Sequence, residues 1–457
     1  MEKQEEAGDF FNATQNFLTW LKKQGATVND KIRIVDFRNL DKGRAVIAHE
    51  NVAEDEVLFT IPRQSILTVE SSSLQADIRS EISDPWLALI LVMVYEYQLG
   101  ERSAWKPYFD VLPEHFDTLM FWSEVELSWL TGAAVVNKVG KESADATFKE
   151  QIVPVIRART DVFNANMLDD EDLLRLCHRM GSIIMAYAFD IEKPGSEQET
   201  GEDGWEEDDE ENQSAQKGMV PMADLLNADG DKNNAKLFYE ENKVVMRSIK
   251  PILAGEEIFN DYGPLPTADL VRRYGYVTPN YAQHDVVEVS LDLIKDSGLP
   301  TTSINSKEVD RRAEYLDEQG VLDDGYDIGR ASDDEHDQFP EELCIVLNTL
   351  TLSSEDFATL QRKSRLPKPT PSEAAASLLT VVINKRLSMY PTSAPVNGNL
   401  NESSAKRKAM AEQIITGEKQ VLREALQTLQ NRYQAASGAE KRTINAEAPA
   451  NKKLKTG

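Results

Sequence analysis

Two hydrophobic periods alternate along this chain, and the switches between them divide it. Residues 10–24 set Phe10, Phe17, Leu18 and Leu21 on one side of a helical period, which predicts an amphipathic helix. Three short strand-like runs follow, "KIRIVDF" (31–37), "AVIAH" (45–49) and "VLFTI" (57–61), punctuated by Gly43 and by the polar "NVAEDE" (51–56). From about 74 to 190 the period is helical, interrupted at "WKPYFDVLPEHF" (105–116) and closed by a long predicted helix over 172–189. Strand character then returns. "AKLFYE" (235–240) and "KVVMRSI" (243–249) face each other across Glu241-Asn242 as a hairpin, followed by a strand "EEIFN" (256–260) and a short helix "TADLVRRYG" (267–275). Helices over 341–352, 372–390 and 405–436 fill most of the remainder. The pattern is a β-containing domain split by a helical insert and followed by a helical domain.

Composition adds three constraints. Residues 195–218, acidic and rich in Gly, Ser and Gln, cannot bury a core and read as a flexible loop. A formal charge of −28 opposes nucleic-acid binding by the whole surface and suits a basic partner. The two cysteines, Cys177 and Cys344, lie in apolar runs and read as reduced core thiols of an intracellular protein. The polar, acidic N-terminus shows no signal peptide, and the best apolar run, "WLALILVMVY" (86–95), falls far short of the roughly 20 residues that span a bilayer. A soluble chain without membrane attachment is expected.

No phosphate loop, metal-ligand spacing or Ser-His-Asp signature is present, and His178 on an apolar helix reads as a satisfied core residue. Chemistry must therefore come from segments far apart in the chain. "KGRAV" (42–46) sets a glycine between two strands, where backbone amides can approach a ligand, although alone it is a plain turn. "MVPMADLLNADGDKNNAKL" (219–237) reads as an apolar stretch stopping at Asn227. "GEEIFNDYG" (255–263) puts Tyr262 inside a polar turn, and "LVRRYGYV" (270–277) adds Tyr274.

Together these segments resemble the SET domain of protein lysine methyltransferases. "KGRAVIAHENVAEDEVLFTIPR" (42–63) resembles its N-terminal half, and "VPMADLLN", "GEEIFNDYG" and "RRYGYV" its C-terminal half. "SAWKPYFDVLP" (103–113) and the helical region with "INKRLSMYPTS" (383–393) point to the Rubisco large-subunit methyltransferase class, and within it to the fungal ribosomal lysine N-methyltransferase 4 group. The resemblance implies an α+β fold: an N-terminal helix (1–30), a SET domain (31–282) with a helical insert (about 74–190) and the acidic loop (about 192–218), an all-helical substrate-binding domain (283–436), and a disordered basic tail (437–457).

It further implies S-adenosylmethionine as cofactor, with Tyr262 catalytic. Lys42, Gly43, Arg44, Tyr187, Asn227, Ala228, Tyr262 and Tyr274 would bind the cofactor, and Asp224, Tyr274 and Trp86 the substrate. Chemistry agrees with a tyrosine there. A lysine amine needs its lone pair to attack a sulfonium methyl, and from a pKa of about 10.4 deprotonation costs roughly 4 to 5 kcal/mol at neutral pH. A narrow site holding a cationic sulfonium disfavours the ammonium further, and a phenolic oxygen can orient the neutral amine. Two departures from the family stand out: Ala228 replaces the usual histidine, and Gly43-Arg44-Ala45 replaces Gly-x-Gly. They keep a non-catalytic peptide-binding module open as an alternative.

The implied substrate is a lysine on a basic 60S ribosomal protein, monomethylated by a monomeric enzyme; a histone or nuclear regulator would satisfy the charge equally. Lys441-Arg442 followed by Lys452-Lys453-Leu454-Lys455 has the form of a two-part nuclear import signal, so a nuclear location, with cytoplasm as a second compartment, is expected.

Overall fold

The computed structural model describes residues 2–38, 42–163, 168–191, 216–301, 304–331, 338–391 and 400–446. The acidic run over 192–215 and the basic residues after 446 lie outside them. The chain separates into two units, one of Met1–Phe121, Val139–Leu265 and Asp269–Tyr276, the other of Trp122–Lys138, Pro266–Ala268 and Val277–Gly457.

The first unit begins with the helix Glu2–Lys23, longer than its apolar stripe alone predicts. Phe17 and Leu21 are fully buried, while Phe10 is half-buried beneath the guanidinium groups of Arg38 and Arg44. A two-residue strand that the apolar runs did not indicate, β1 (Thr27–Val28), precedes β2 (Ile32–Asp36), β3 (Arg44–Ala48) and β4 (Val57–Pro62), which follow the three runs; all four pair antiparallel. β2 and β3 form a hairpin, Ile32 opposite Ala48 and Asp36 opposite Arg44.

The insert is helical because its helices are capped and apolar. Asp84 accepts from Leu87 N at 2.8 Å and Pro85 opens the helix Pro85–Leu99, whose residues Leu87–Val94 are all buried. Asp169 accepts from Asp172 N at 2.8 Å and starts the helix Asp170–Tyr187 with acids in its first turn, complementing the helix dipole. That helix ends earlier than its apolar pattern suggests, because Ala188 turns extended and begins β5 (Ala188–Ile191). β5 pairs antiparallel with β6 (Gln216–Met219), so the last residues of the expected flexible loop, Gln216–Gly218, are strand.

Next come β7 (Asn227–Ala228), β8 (Ala235–Tyr239), β9 (Lys243–Ser248) and β10 (Phe259–Asn260). β8 and β9 form the expected hairpin, closed by Glu240 N donating to Lys243 O at 2.9 Å. They complete one sheet in the order β1-β4-β9-β8, whereas β7 and β10 make a separate parallel pair.

The second unit is predominantly helical, with Glu341–Thr351, Glu373–Ser388 and Glu402–Ala446 supplying Leu347, Val382 and Leu422 to its core. It also carries a two-stranded ladder absent from the helical reading, β11 (Val287–Ser290) against β12 (Gly325–Ile328). The last helix runs to Ala446, continuing into the first ten residues of the span expected as a tail. Arg312, fully buried, donates to the carbonyls of Thr349, Leu350 and Leu352 and so satisfies the end of the Glu341–Thr351 helix. Cys177 and Cys344 are free and buried in the first and second unit respectively; burial pushes their thiols up to about 12 and about 11. His178 is buried with Nε2 2.5 Å from Asp145 Oδ1, a satisfied core residue. Among the described residues no helix is long and apolar enough to cross a membrane.

Candidate active site

The polar segment 227–234 is a staple. Asn227 and Ala228 pair with Phe259 and Asn260, and Asn234 bonds the same segment from its side chain. Its Nδ2 donates to Glu257 O at 2.9 Å, and its Oδ1 accepts from Phe259 N at 2.9 Å. Asp229 N adds a bond to Asn260 O at 3.1 Å. The apolar stretch before Asn227 is therefore a single 3-10 turn, Ala223–Leu225, leading into a strand. Competition from the parallel partner strand draws the backbone out of the helical form.

The turn after β10 fixes Tyr262. Asp261 accepts from Gly263 N at 2.8 Å through Oδ1 and from Asn233 Nδ2 at 3.2 Å through Oδ2. Tyr262 is held at the apex of this Asx-type turn. Its ring stacks on Tyr274, centroids 4.2 Å apart and planes within 7°, and Tyr274 meets Tyr276 edge-on at 6.3 Å. Tyr274 closes the helix Thr267–Tyr274, and Gly275 ends it at φ +75° with its amide bonded to Leu270 O and Val271 O. A Cβ at Gly275 would come within 2.8 Å of Asp117 C and Thr118 N, so only glycine lets the chain pass there.

Burial and neighbouring groups keep the Tyr262 and Tyr187 phenols neutral. Burial first, then Tyr274, Tyr187, Tyr276 and Asp224, hold the Tyr262 hydroxyl well above the usual tyrosine range. Burial and Asp224 push Tyr187, the last residue of the Asp170–Tyr187 helix, up to about 12. Asp224 itself is pushed up to about 7 by burial, against the pull of a Tyr108 hydrogen bond and of the Met222 and Asp224 amides. The Tyr108 hydroxyl donates to Asp224 Oδ2. Asp224, Tyr187, Tyr262 and Tyr274 are thus one electrostatic cluster.

A second cluster surrounds Glu257. Asn227 Nδ2 donates to Glu257 Oε1 at 2.6 Å, and Lys42 Nζ reaches Oε2 at 3.1 Å while lying 5.4 Å from the Phe259 ring centroid. Gly43 sits at φ +66°, and among the described residues no atom beyond its chain neighbours lies within 4 Å of where a Cβ would stand, so on that side its backbone is approachable. Arg44 is different. Its guanidinium bonds Thr14 Oγ1 at 3.2 Å and Val111 O at 3.0 Å and covers the Phe10 ring, so the side chain is a brace within the fold. Trp86 stands in the first turn of the Pro85–Leu99 helix, half-buried against the core, and is not among the rings stacked on Tyr262. Sequence reasoning singled out neither Tyr108 nor Glu257. Tyr108 lay inside "WKPYFDVLP", and its pairing with a carboxylate 116 residues away leaves no local trace.

Comparison with known proteins places this geometry. The model of the SET domain matches residues 43–263, and that of the Rubisco LSMT substrate-binding domain matches residues 291–422. The chain belongs to the SET-domain protein-lysine methyltransferase family, in the branch that carries this second domain. Ribosomal lysine N-methyltransferase 4 of Saccharomyces cerevisiae is 30% identical over 470 residues, covering 93% of each chain. N-lysine methyltransferase SETD6 of Mus musculus is 28% identical, covering 77% of this chain and 73% of its own. A solved structure of Rubisco LSMT bound to AdoMet shares the fold at a TM-score of 0.66 and 19% identity, covering 96% of this chain and 97% of that one.

Proposed function

We propose that the chain transfers one methyl group from S-adenosylmethionine to a lysine of a 60S ribosomal protein, as a monomer and within the nucleus. The coarser reaction, S-adenosylmethionine-dependent protein-lysine N-methylation, is that of the family to which the chain belongs. The observation that carries the ribosomal reading is the likeness to ribosomal lysine N-methyltransferase 4 along 93% of both chains. A charge of −28 supports it, since ribosomal proteins are basic and an opposite field speeds encounter.

The residues fit the cofactor. The approachable backbone at Gly43 and the main chain of Asn227 and Ala228, braced by Glu257, would hold its polar parts. Oxygen atoms of the Tyr187, Tyr262 and Asp224 cluster suit a neighbouring cation. When bound, S-adenosylmethionine supplies an electrophilic methyl on a positively charged sulfur. Tyr262, a neutral phenol in a fixed turn, orients the amine of the lysine. The stack on Tyr274 keeps that phenol in one rotamer and walls the site with apolar surface that excludes water. Ala228 enters the β7–β10 pairing through its main chain, so the absence of a histidine side chain leaves that pairing whole.

A nuclear regulator or histone is the second reading, favoured by the basic residues between Lys441 and Lys455, which have the form of a nuclear import signal. The test is transfer from tritiated S-adenosylmethionine to 60S ribosomal proteins and, separately, to core histones, using wild type and Tyr262→Phe. One Tyr262-dependent band among the ribosomal proteins is expected. A histone-only band would move the substrate to the second reading, and no label despite cofactor binding would favour a binding module.

A further inference from the structure

We propose that Tyr108 is a positioning residue of the lysine site: its hydroxyl holds one oxygen of Asp224 and leaves the other to accept the proton that the incoming ammonium must lose. This role rests on the methyltransferase reading above.

The geometry is specific. Asp224 is 7% exposed and sits on a 3-10 turn entered through Met222 at φ +81°, a conformation that a non-glycine residue holds only under constraint. Tyr108 is fully buried, its ring boxed by those of Phe17, Trp20, Trp105 and Phe109, with Trp20 stacked within 11° of its plane. The phenol cannot swing away, so Asp224 Oδ2 is permanently engaged. Asp224 Oδ1 is equally buried, and although the Met222 and Asp224 amides favour the charged carboxyl, no described residue meets this oxygen in hydrogen-bond geometry. A buried carboxylate oxygen without a donor is unfavourable, and a substrate N–H would relieve it.

The side chains that act on the carboxyl come from three elements. Tyr108 reaches it from the helix Lys106–Phe109, Tyr187 from the end of Asp170–Tyr187, and Tyr262 from beyond β10. The Met222 and Asp224 amides act on it from its own turn. The cluster supplies phenols and an acid, and the substrate brings the cation.

The proton step balances. One N–H bond of the ammonium breaks and its electron pair stays on nitrogen as the lone pair. The proton forms an O–H bond on Asp224 Oδ1, converting carboxylate to acid, while Tyr108 continues to donate to Oδ2. Burial pushes Asp224 up to about 7, which suits a group that accepts and later releases a proton near neutrality.

The test compares full-length wild type, Tyr108→Phe and Asp224→Asn. Transfer from tritiated S-adenosylmethionine to 60S ribosomal proteins would be followed as kcat/KM from pH 5.5 to 9.5, with infrared difference spectra of the carboxylic acid band alongside. Wild type should lose activity below about pH 7, where Asp224 is protonated beforehand. Removing a hydrogen bond that favours the carboxylate should move this limb up by about one pH unit in Tyr108→Phe. Transfer at pH 6 then falls roughly tenfold, a deficit that shrinks towards pH 9, with the KM for cofactor unmoved. Asp224→Asn should lose both the limb and the band. A Tyr108→Phe profile lowered by one factor at every pH would overturn the idea, reducing Tyr108 to packing, as would a band that does not shift. If wild type labels no ribosomal protein, the substrate reading fails, and the infrared shift still decides whether Tyr108 governs Asp224.

Discussion

Tyr262 stays protonated across the physiological range, because burial and the neighbouring phenols oppose its charge. On the proposed mechanism its contribution is one oriented oxygen. Tyr262→Phe should lower turnover by about 100-fold or more, the usual effect of deleting a preorganised polar group at a reacting centre, with cofactor affinity little changed. Single-turnover transfer beside calorimetric titration with S-adenosylhomocysteine checks both halves, and retained transfer would remove Tyr262 from catalysis. Glu257 acts one step further out, gathering Lys42 and Asn227. Glu257→Ala leaves both without their acceptor, and S-adenosylhomocysteine should bind about tenfold more weakly. An unaltered Kd would separate this network from the cofactor. Tyr262, Tyr274 and Asn227 were legible because they sit in short contiguous motifs. Glu257 sits in one of those motifs as well, but its purpose depends on a partner 30 residues earlier, and spacing alone does not encode such pairing.

At the scale of elements, the junction after the Thr267–Tyr274 helix places a ring and a glycine side by side. Gly275→Ala adds a β-carbon at φ +75° against the backbone of Asp117 and Thr118, two groups that cannot give way as a flexible side chain would. A loss of about 3 kcal/mol is expected in urea unfolding, together with reduced transfer because Tyr274 loses its seat. A stability change under 0.5 kcal/mol, roughly the noise of surface substitutions, would show that this approach relaxes freely. The longer elements were readable from their apolar period, and the hairpin of β8 and β9 turns where Glu241-Asn242 indicated. The caps Asp84 and Asp169, which start two of the helices, went unread. β5 was missed because "AF" continues the apolar period of the helix before it, and its partner β6 lies beyond the long acidic run. β10 is the end of the strand read at 256–260, but its partner β7 is too short for any period to register, and the Asn234 side-chain amide supplies much of the bonding there.

For the molecule as a whole, one buried carboxyl of the second unit contributes a readable pH dependence to stability. Glu418, in the second unit, is pushed up to about 7 by burial, while its bond from the Tyr390 hydroxyl at 2.5 Å pulls it down. A carboxyl whose proton is held more tightly folded than unfolded stabilises fully below its unfolded pKa, near 4.5. That contribution is lost as the pH rises through about 7. Tm should therefore fall between pH 5 and 8, and Glu418→Gln, which cannot ionise, should flatten the decline; an unchanged slope would show that Glu418 does not titrate in the fold. The basic tail makes a separate prediction. Replacing Lys452, Lys453 and Lys455 with Ala in a fluorescent fusion should shift the protein from nucleus to cytoplasm, and an unaltered distribution would dismiss the import signal. Charge and segment order were legible at this scale because both are sums over many residues. The buried proton sites were not, since nothing local distinguishes Glu418 from the exposed Glu412 on the same helix. The cysteines carry a practical consequence. With only two in the chain, both interred and both poor thiolates, the native protein offers no handle to maleimides, iodoacetamide or acrylamide warheads. A single cysteine introduced at exposed Val125 or Leu253 would then be the sole labelling point, carrying one dye on an otherwise silent background.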